Sequence, residues 1–224
     1  AATVNLAAIE RNVAVLTDAA GDAAVCAVVK ADGYGHGAVP AARAALAGGA
    51  TWLAVASSTE ALALRDAGIE APLLILGALS AEELAEAVAA RADVVAWRED
   101  FVRGLAATGA PLGVHVKLDT GMGRLGTRDP DEGLRVARAV LDAPALRLAG
   151  AMTHFATADE RGDTFFGEQL DRFRPWAQEV RGLAPGVLVH AANSAAMLRD
   201  PSARFDMVRP GIAVYGMDPF GEDP

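Results

Sequence analysis

The sequence predicts an α/β protein that folds as a (β/α)8 barrel of the TIM type. Eight short apolar segments alternate with longer amphipathic segments along the 224 residues. This alternation, in units of roughly twenty residues, is typical of a parallel barrel surrounded by helices. No GxGxxG pattern follows the first apolar segment, so the main sign of an open dinucleotide-binding sheet is missing. We therefore predict one barrel domain over residues 1–224.

The eight predicted strands are short and rich in small and β-branched residues. Residues 24–29 consist of alanine, valine and cysteine, which fits a strand buried on both faces better than so short a helix. The other predicted strands cover residues 52–56, 73–76, 94–97, 113–118, 146–151, 187–190 and 205–209.

Two helix starts have the same four-residue signature. Ser57 is followed by Glu60, and Ser80 is followed by Glu83. In a capping box, the side chains of the first and fourth residues each accept a hydrogen bond from the backbone N–H of the other. We therefore expect reciprocal capping boxes at the helices that follow the second and third strands.

Two prolines mark the later helices. Asp129 directly before Pro130 fits an N-cap followed by the first helical residue. Pro175 lies inside the amphipathic stretch 165–180. Because proline lacks an N–H and clashes with the preceding turn, we expect it to kink or split that helix.

The chain is acidic, 52% hydrophobic and poor in cysteine. Its formal net charge of −9 argues against nucleic acid and anionic membranes as partners. The single cysteine, Cys26, requires no oxidising compartment. Because neither a membrane-spanning apolar run nor a signal-peptide pattern is present, we expect a cytoplasmic protein. The four histidines lack the close spacing of metal ligands, so we expect no metal site.

The first strand delivers a lysine to a glycine-rich loop. Two valines precede Lys30, and Gly33, Tyr34 and Gly35 follow it closely. Apolar surroundings disfavour the ammonium form of an amine, which is how a lysine becomes a Schiff-base nucleophile near neutral pH. The alternative is a lysine that extends along the surface to water. The glycines and the aromatic ring after Lys30 favour a ligand-binding loop.

The fifth predicted strand is charged on one face. In residues 114–119, valine and leucine alternate with His115, Lys117 and Asp119, so one face is apolar and the other is polar. In a barrel the polar face points into the lumen, where charge is costly unless it serves a site. The glycine-rich loop that follows carries Arg124, whose guanidinium suits a carboxylate. The alternative is an edge strand that faces water.

Polar residues lie near the carboxyl ends of several predicted strands, where barrels of this type carry their active sites. If the barrel forms, these side chains should meet at one mouth. They are Lys30, Lys117, Asp119, His154, His190, Asn193, Ser194 and Arg209.

Five of these segments resemble the motifs of one enzyme family. Residues 29–37, VKADGYGHG, look like the pyridoxal-phosphate lysine motif of alanine racemases, and residues 117–126, KLDTGMGRLG, are similar to their second signature. Three shorter segments match in order and rough spacing. They are HFATAD at 154–159, HAANSA at 190–195 and VRPGI at 208–212, and the family's opening pattern is visible in NLAAIERN at 5–12.

The resemblance implies a pyridoxal 5′-phosphate cofactor that is bonded covalently to Lys30, the catalytic lysine. Independently, the loops after strands seven and eight of such barrels commonly bind phosphate. The residues implied to bind the cofactor are Lys30, Tyr34, Arg124, His154, Asn193, Ser194, Arg209, Gly211 and Ile212.

The resemblance also implies separate roles for these residues. Tyr34, Ser194 and the amides around Gly211 and Ile212 would contact the phosphate. Arg209 would face the pyridine nitrogen and His154 would pack beside the ring. Arg124 would orient a cofactor oxygen and the carboxylate of the substrate. Lys117 would be carboxylated by carbon dioxide to position Arg124; the alternative for Lys117 is an ordinary ion pair with Asp119 or another acid.

Alanine racemases also resemble one another in a second, β-rich domain after the barrel. By the resemblance, that domain supplies a tyrosine that acts as a second base across a homodimer interface, and we expect this chain, which stops at Pro224, to lack it. The resemblance therefore implies interconversion of L- and D-alanine by a barrel that lacks one of its two bases. We expect weak self-association or none for this chain.

Two other functions remain open from the sequence. A barrel of this size resembles non-catalytic pyridoxal-phosphate carriers of the same superfamily. A barrel decarboxylase is the third possibility, but related decarboxylases resemble one another in placing an acid at the ring nitrogen. Arg209 and the loop of Arg124 argue against that function.

Overall fold

The computed structural model describes residues 3–221, in which eight parallel strands form a closed barrel. Each strand pairs with the next along the chain, and β1 closes the barrel by pairing with β8. The predicted fold class is therefore confirmed. The strands are β1 (Ala24–Val28), β2 (Trp52–Val55), β3 (Leu73–Ile75), β4 (Asp93–Ala96), β5 (Leu112–Lys117), β6 (Leu146–Met152), β7 (Leu188–His190) and β8 (Met207–Val208).

Helices alternate with the strands, and one helix precedes the first strand. None of the helices within residues 3–221 is both long and apolar enough to cross a membrane. The helices are α1 (Leu6–Ala20), α2 (Ala38–Ala47), α3 (Ser58–Asp66), α4 (Ala81–Ala89), α5 (Glu99–Ala107), α6 (Pro130–Leu141), α7 (Phe165–Leu183) and α8 (Ser194–Arg199), with 3-10 turns at Pro201–Ala203 and Ile212–Tyr215.

The last strand is shorter than predicted, two residues instead of the stretch 205–209. Phe205 has a φ of 49°, a left-handed backbone that a strand does not accept. Arg209 precedes Pro210, which has no N–H to donate to a neighbouring strand. Strand β8 is therefore confined between these two residues.

The two predicted capping boxes differ in the structure. At α4, Ser80 and Glu83 close the reciprocal box as predicted. At α3, the Ser57 side chain accepts a hydrogen bond from the N–H of Glu60, but the Glu60 carboxylate does not accept one from the N–H of Ser57. It accepts hydrogen bonds from the backbone N–H groups of Ala31 and Ala56, each at 2.7 Å. The predicted box at Glu60 is wrong because this carboxylate serves the loop after β1.

Pro175 does not split its helix, since α7 is continuous from Phe165 to Leu183. Asp129 and Pro130 do begin α6 as predicted. The residues around Pro175 include Phe173 and Trp176, which are 0% and 1% exposed. Burial of two large aromatic side chains offsets the roughly 3 kcal/mol that an internal proline costs a helix.

The barrel lumen is divided between an apolar part and a polar part. Seven buried apolar residues fill the first part. The buried side chains of His115, Lys117, His190 and Arg209 fill the second. The predicted polar face of β5 therefore points inward, and a closed barrel leaves no edge strand that faces water. The apolar residues are Cys26, Val28, Ala54, Leu74, Val95, Met152 and Met207.

Candidate active site

A cavity of about 430 Å³ opens at the carboxyl ends of the strands. Every residue that the sequence analysis assigned to cofactor or substrate binding lines it, together with Lys117. These residues come from the ends of β1, β5, β6, β7 and β8 and from the loops after them. The predicted members of the lining are Lys30, Tyr34, Lys117, Arg124, His154, Asn193, Ser194, Arg209, Gly211 and Ile212.

Lys30 begins a left-handed helical turn, Lys30–Tyr34. Ala31, Asp32, Gly33 and Tyr34 all have φ between 52° and 61°. Left-handed backbone costs roughly 1–2 kcal/mol for each residue that carries a Cβ, so three of these four residues are strained. Strain of this kind persists only where the surroundings enforce it. The turn places the Lys30 Nζ 5.9 Å from the centre of the Tyr34 ring.

Two carboxylates hold this turn. Glu60 accepts hydrogen bonds from the N–H groups of Ala31 and Ala56, which ties the turn to the end of β2. Asp32 accepts a hydrogen bond of 2.7 Å from the N–H of Ala38, the first residue of α2. Hydrogen bonds to charged groups are the stronger ones, so these contacts offset part of the strain. This role of Glu60 is not visible in the sequence, because its position also fits an ordinary helix start.

The loops after β7 and β8 meet around one hydroxyl. The Ser194 Oγ accepts hydrogen bonds from the N–H groups of Gly211 at 2.9 Å and Ala213 at 3.3 Å. A Cβ at Gly211 would lie 2.6 Å from the Tyr34 hydroxyl oxygen, so only glycine permits this approach. Asn193 caps α8 by accepting from the N–H of Ala196. This end of the cavity gathers hydroxyl and N–H donors, the groups that bind phosphate.

Arg209 lies at the bottom of the cavity and is 3% exposed. Its Nη2 donates to the carbonyl oxygens of Thr153 at 2.7 Å and Ala191 at 3.0 Å. Its Nη1 lies 2.5 Å from the Nδ1 of His190. Burial lowers the pKa of the guanidinium to about 10, so it stays charged at neutral pH.

The cavity wall is cationic. Burial, followed by the charges of Arg209 and Arg124, lowers the pKa of Lys117 to about 8. Burial and the same cations hold the pKa of His154 well below its usual range, so this imidazole is neutral. A cavity with two lysines and two arginines in its wall favours an anionic ligand.

Asp119 organises the loop that carries Arg124. Its carboxylate accepts hydrogen bonds of 3.0–3.1 Å from the N–H groups of Gly121 and Gly123. Arg128 forms an ion pair of 3.3 Å with the same carboxylate. Asp119 is therefore turned toward its own loop, and the structure does not show the ion pair between Lys117 and Asp119.

Tyr215 packs against the end of β1 and the loop that follows it. Its hydroxyl donates to the carbonyl oxygen of Val28 at 3.2 Å, and its ring stacks on His36 with centroids 4.7 Å apart. His36 lies just before α2 and forms a 3.0 Å contact with the Gly33 carbonyl oxygen. Within residues 3–221, no cluster of three or more His, Cys, Asp and Glu side chains is arranged to hold a metal ion.

The fold and the cavity define the class of protein: a (β/α)8 barrel with a lysine in the lining of a cationic cavity at the carboxyl ends of its strands. Comparison with known sequences then gives the family. The family model described as alanine racemase, N-terminal domain, matches residues 4–219. The chain belongs to the alanine racemase family and represents its N-terminal barrel.

Individual relatives agree with this assignment. The chain is 46% identical to the alanine racemase of Frankia casuarinae over 226 residues, which cover 97% of this chain and 59% of the relative. Identity to the Streptomyces coelicolor alanine racemase is 47% over 234 residues, with 99% and 60% covered. The chain therefore spans about three fifths of the length of these relatives.

Solved structures show the same architecture. The crystal structure of alanine racemase from E. faecalis has a TM-score of 0.90 at 36% identity, covering 98% of this chain and 60% of that one. The alanine racemase of Bacillus anthracis with bound L-Ala-P has a TM-score of 0.89 at 38% identity, covering 96% and 57%.

Proposed function

We propose that this barrel binds pyridoxal 5′-phosphate through Lys30 and carries the lysine-side half of the interconversion of L- and D-alanine. The observation that carries the proposal is the single cavity that joins Lys30 to the phosphate-type donors and to Arg209. The residues fit the cofactor: an amine for its aldehyde, donors for its phosphate and a cation for its ring nitrogen. The relatives belong to a family that depends on this cofactor.

The phosphate end is the part of the cavity between β7, β8 and the Lys30 turn. Ser194, the N–H groups of Gly211 and Ile212 and the Tyr34 hydroxyl would donate to the phosphate oxygens. The Tyr34 hydroxyl lies so close to Gly211 that a side chain at position 211 would clash with it. We therefore propose that this end sets the position of the cofactor, with Asn193 supporting it through the cap of α8.

Arg209 would face the ring nitrogen from the bottom of the cavity. Pyridoxal phosphate supplies an electron sink that acidifies the α-hydrogen of a bound amino acid. An arginine never gives up its proton readily, so Arg209 limits how strongly the ring withdraws electrons. His154, which is neutral and lies beside Arg209 at 3.4 Å, would pack against the ring.

Lys30 and Arg124 would act on the substrate. Arg124 lines the cavity and would bind the alanine carboxylate by paired hydrogen bonds. The Lys30 Nζ would remove the α-proton from one face and return it to the same face. Racemisation also requires a group on the opposite face, which we assign to the remainder of the longer proteins. A positioned base of this kind typically contributes roughly 10²- to 10⁴-fold.

Lys117 is proposed to carry a carbamate. Its pKa near 8 leaves a fraction of the amine neutral at physiological pH, and the neutral amine is the form that adds to carbon dioxide. The ammonium first loses one proton to give this amine. Addition to carbon dioxide then forms an N–C bond at the expense of one C=O π bond and releases a second proton, so that the cation becomes an anion. The product would stabilise the neighbouring Arg124 and Arg209, whose charges now repel Lys117.

A spectrum tests the proposal. The chain is loaded with pyridoxal phosphate, and its absorbance is recorded with D-alanine, L-alanine and alaninol, which lacks the carboxylate. Both alanines should shift the cofactor absorbance and alaninol should not. In deuterium oxide, D-alanine should exchange its α-hydrogen with retention of configuration faster than it racemises, and L-alanine should exchange more slowly. A cofactor band that no amino acid alters would identify a carrier instead of an enzyme.

A further inference from the structure

A file of polar side chains crosses the barrel lumen from the cavity to the opposite mouth. The Arg209 Nη1 lies 2.5 Å from the Nδ1 of His190, and the His190 Nε2 lies 2.7 Å from the Nδ1 of His115. The His115 Nε2 lies 3.2 Å from the Asp93 Oδ2. The exposed Arg147 closes the file with an ion pair of 3.2 Å to the same oxygen. Asp93 begins β4, at the mouth opposite the cavity.

The protons in this file can be assigned from one fact. A guanidinium only donates hydrogen bonds, so the Nδ1 of His190 must accept and its proton must be on Nε2. The His190 Nε2–H then donates to the Nδ1 of His115, which places the proton of His115 on Nε2 as well. That N–H donates to the Asp93 carboxylate, which only accepts when ionised. Both histidines are therefore neutral, and every hydrogen in the file points toward Asp93.

Burial and charge agree with this assignment. His115 and His190 are 0% exposed, and their rings are 4.9 Å apart at 76°. Burial, followed by the charge of Arg209, holds the pKa of His190 well below its usual range. Burial alone would raise the pKa of Asp93, but the hydrogen bond from His115 and the charge of Arg147 keep it below its usual value.

The backbone leaves room for the file at two glycines. A Cβ at Gly113 would lie 2.3 Å from the Asp93 carboxylate, and a Cβ at Gly150 would lie 2.0 Å from the Nδ1 of His115. The pairing of β5 with β6 shifts register between Val114 and His115, which is where a bulge re-aims a side chain. Buried polar groups seldom stabilise a core more than apolar groups of the same volume. Stability therefore does not explain why these polar side chains, instead of apolar ones, fill this part of the lumen.

We propose that Asp93 is a positioning residue for Arg209. Acting through His115 and His190, it holds the guanidinium in one orientation at the bottom of the cavity. The named bonds to His190, Thr153 and Ala191 use three of the five N–H groups of Arg209. The Nε–H and the second Nη1–H remain for a ligand. Truncation of Asp93 leaves the His115 N–H without its acceptor, and the file loses its anchor.

The first test needs no cofactor, so its outcome is independent of the proposed function. The cofactor-free chain is labelled with ¹⁵N-histidine, and long-range proton–nitrogen correlation spectra identify the protonated nitrogen of each ring. We expect His115 and His190 to be neutral with the proton on Nε2. An Nδ1–H tautomer or an imidazolium at either residue at pH 7.5 would overturn the proposal.

The second test measures what Asp93 does to the site. In Asp93→Ala, the nitrogen shifts of His190 should move, and the dissociation constant for pyridoxal phosphate should rise about tenfold. Asp93→Asn keeps an oxygen acceptor and should restore most of both values. The matched control is Asp206→Asn. Asp206 lies directly before β8, pairs with Arg181 and accepts a hydrogen bond from the N–H of Val189, an acceptor that asparagine keeps. It should change neither value.

Two results would contradict the inference. One is an Asp93→Ala chain whose His190 shifts and cofactor affinity equal those of the unaltered chain. The other is an Asp206→Asn chain that weakens cofactor binding as much as Asp93→Ala, which would reduce both effects to a loss of stability. If Asp93→Ala does not fold, the proton positions of His115 and His190 in the unaltered chain decide the question.

Discussion

Lys30 and Arg209 lie on neighbouring strand ends of the closed barrel, but the chain positions them in opposite ways. Lys30 begins a strained left-handed turn that is held by Glu60, from outside the turn, and by Asp32, from within it. Arg209 follows an unstrained strand and is held by His190 and two carbonyl oxygens inside the lumen. The lysine therefore depends on local backbone geometry, whereas the arginine is part of the core. Changes at Lys30 should affect chemistry alone, and changes at Arg209 should affect both chemistry and stability.

The largest expected effect separates these two residues by stability. Arg209→Ala should lower the free energy of unfolding by about 3 kcal/mol, because it leaves three buried acceptors without a donor. Lys30→Ala should change it by less than about 1 kcal/mol, since Lys30 is only partly buried. Urea unfolding of the cofactor-free chain measures both values. Equal losses in the two variants would show that the buried hydrogen bonds of Arg209 contribute no more to stability than Lys30 does.

The second prediction concerns Lys117, the buried lysine at the end of β5. The folded chain holds the pKa of Lys117 at about 8, below its ordinary value, so the unfolded chain binds this proton more tightly. Stability should therefore rise as the pH increases from about 8 to 10.5. Lys117→Met should stabilise the chain by about 2 kcal/mol at pH 7, and the gain should shrink toward pH 10.

Unfolding curves at several pH values, in buffer freed of carbon dioxide, provide the measurement. Adding bicarbonate should stabilise the unaltered chain and leave Lys117→Met unchanged. A pH-independent difference between the two chains would mean that Lys117 is not held as a destabilised cation.

The smallest expected effect tests the carboxylate behind Lys30. Glu60→Gln places an amide N–H₂ against one of two backbone N–H groups and should cost about 1 kcal/mol. It should also weaken cofactor binding, because the turn that presents Lys30 loses a bond. Glu83→Gln is the matched control at the same position of α4, where glutamine still completes a capping box. Glu83→Gln should change neither quantity, and a loss of cofactor affinity there would remove the special role of Glu60.

The sequence predicted the barrel and the residues of the cavity because both depend on local patterns. Apolar segments such as 24–29 and motifs such as 117–126 are contiguous, and strand ends of a parallel barrel necessarily share one mouth. The role of Glu60 was not predictable, since its spacing from Ser57 fits a capping box equally well. The file from Arg209 to Asp93 joins residues on β4, β5 and β7 to the residue after β8, and only the register of the closed barrel brings their side chains into contact.

The central claim is that Lys30, and not the second lysine of the cavity, holds the cofactor. The chain is incubated with pyridoxal phosphate, reduced with borohydride and digested, and the pyridoxyl group is located by mass spectrometry. We expect a label on Lys30, with Lys117→Met labelled to the same extent and Lys30→Ala not labelled. A pyridoxyl group on Lys117, or labelling that survives in Lys30→Ala, would contradict it.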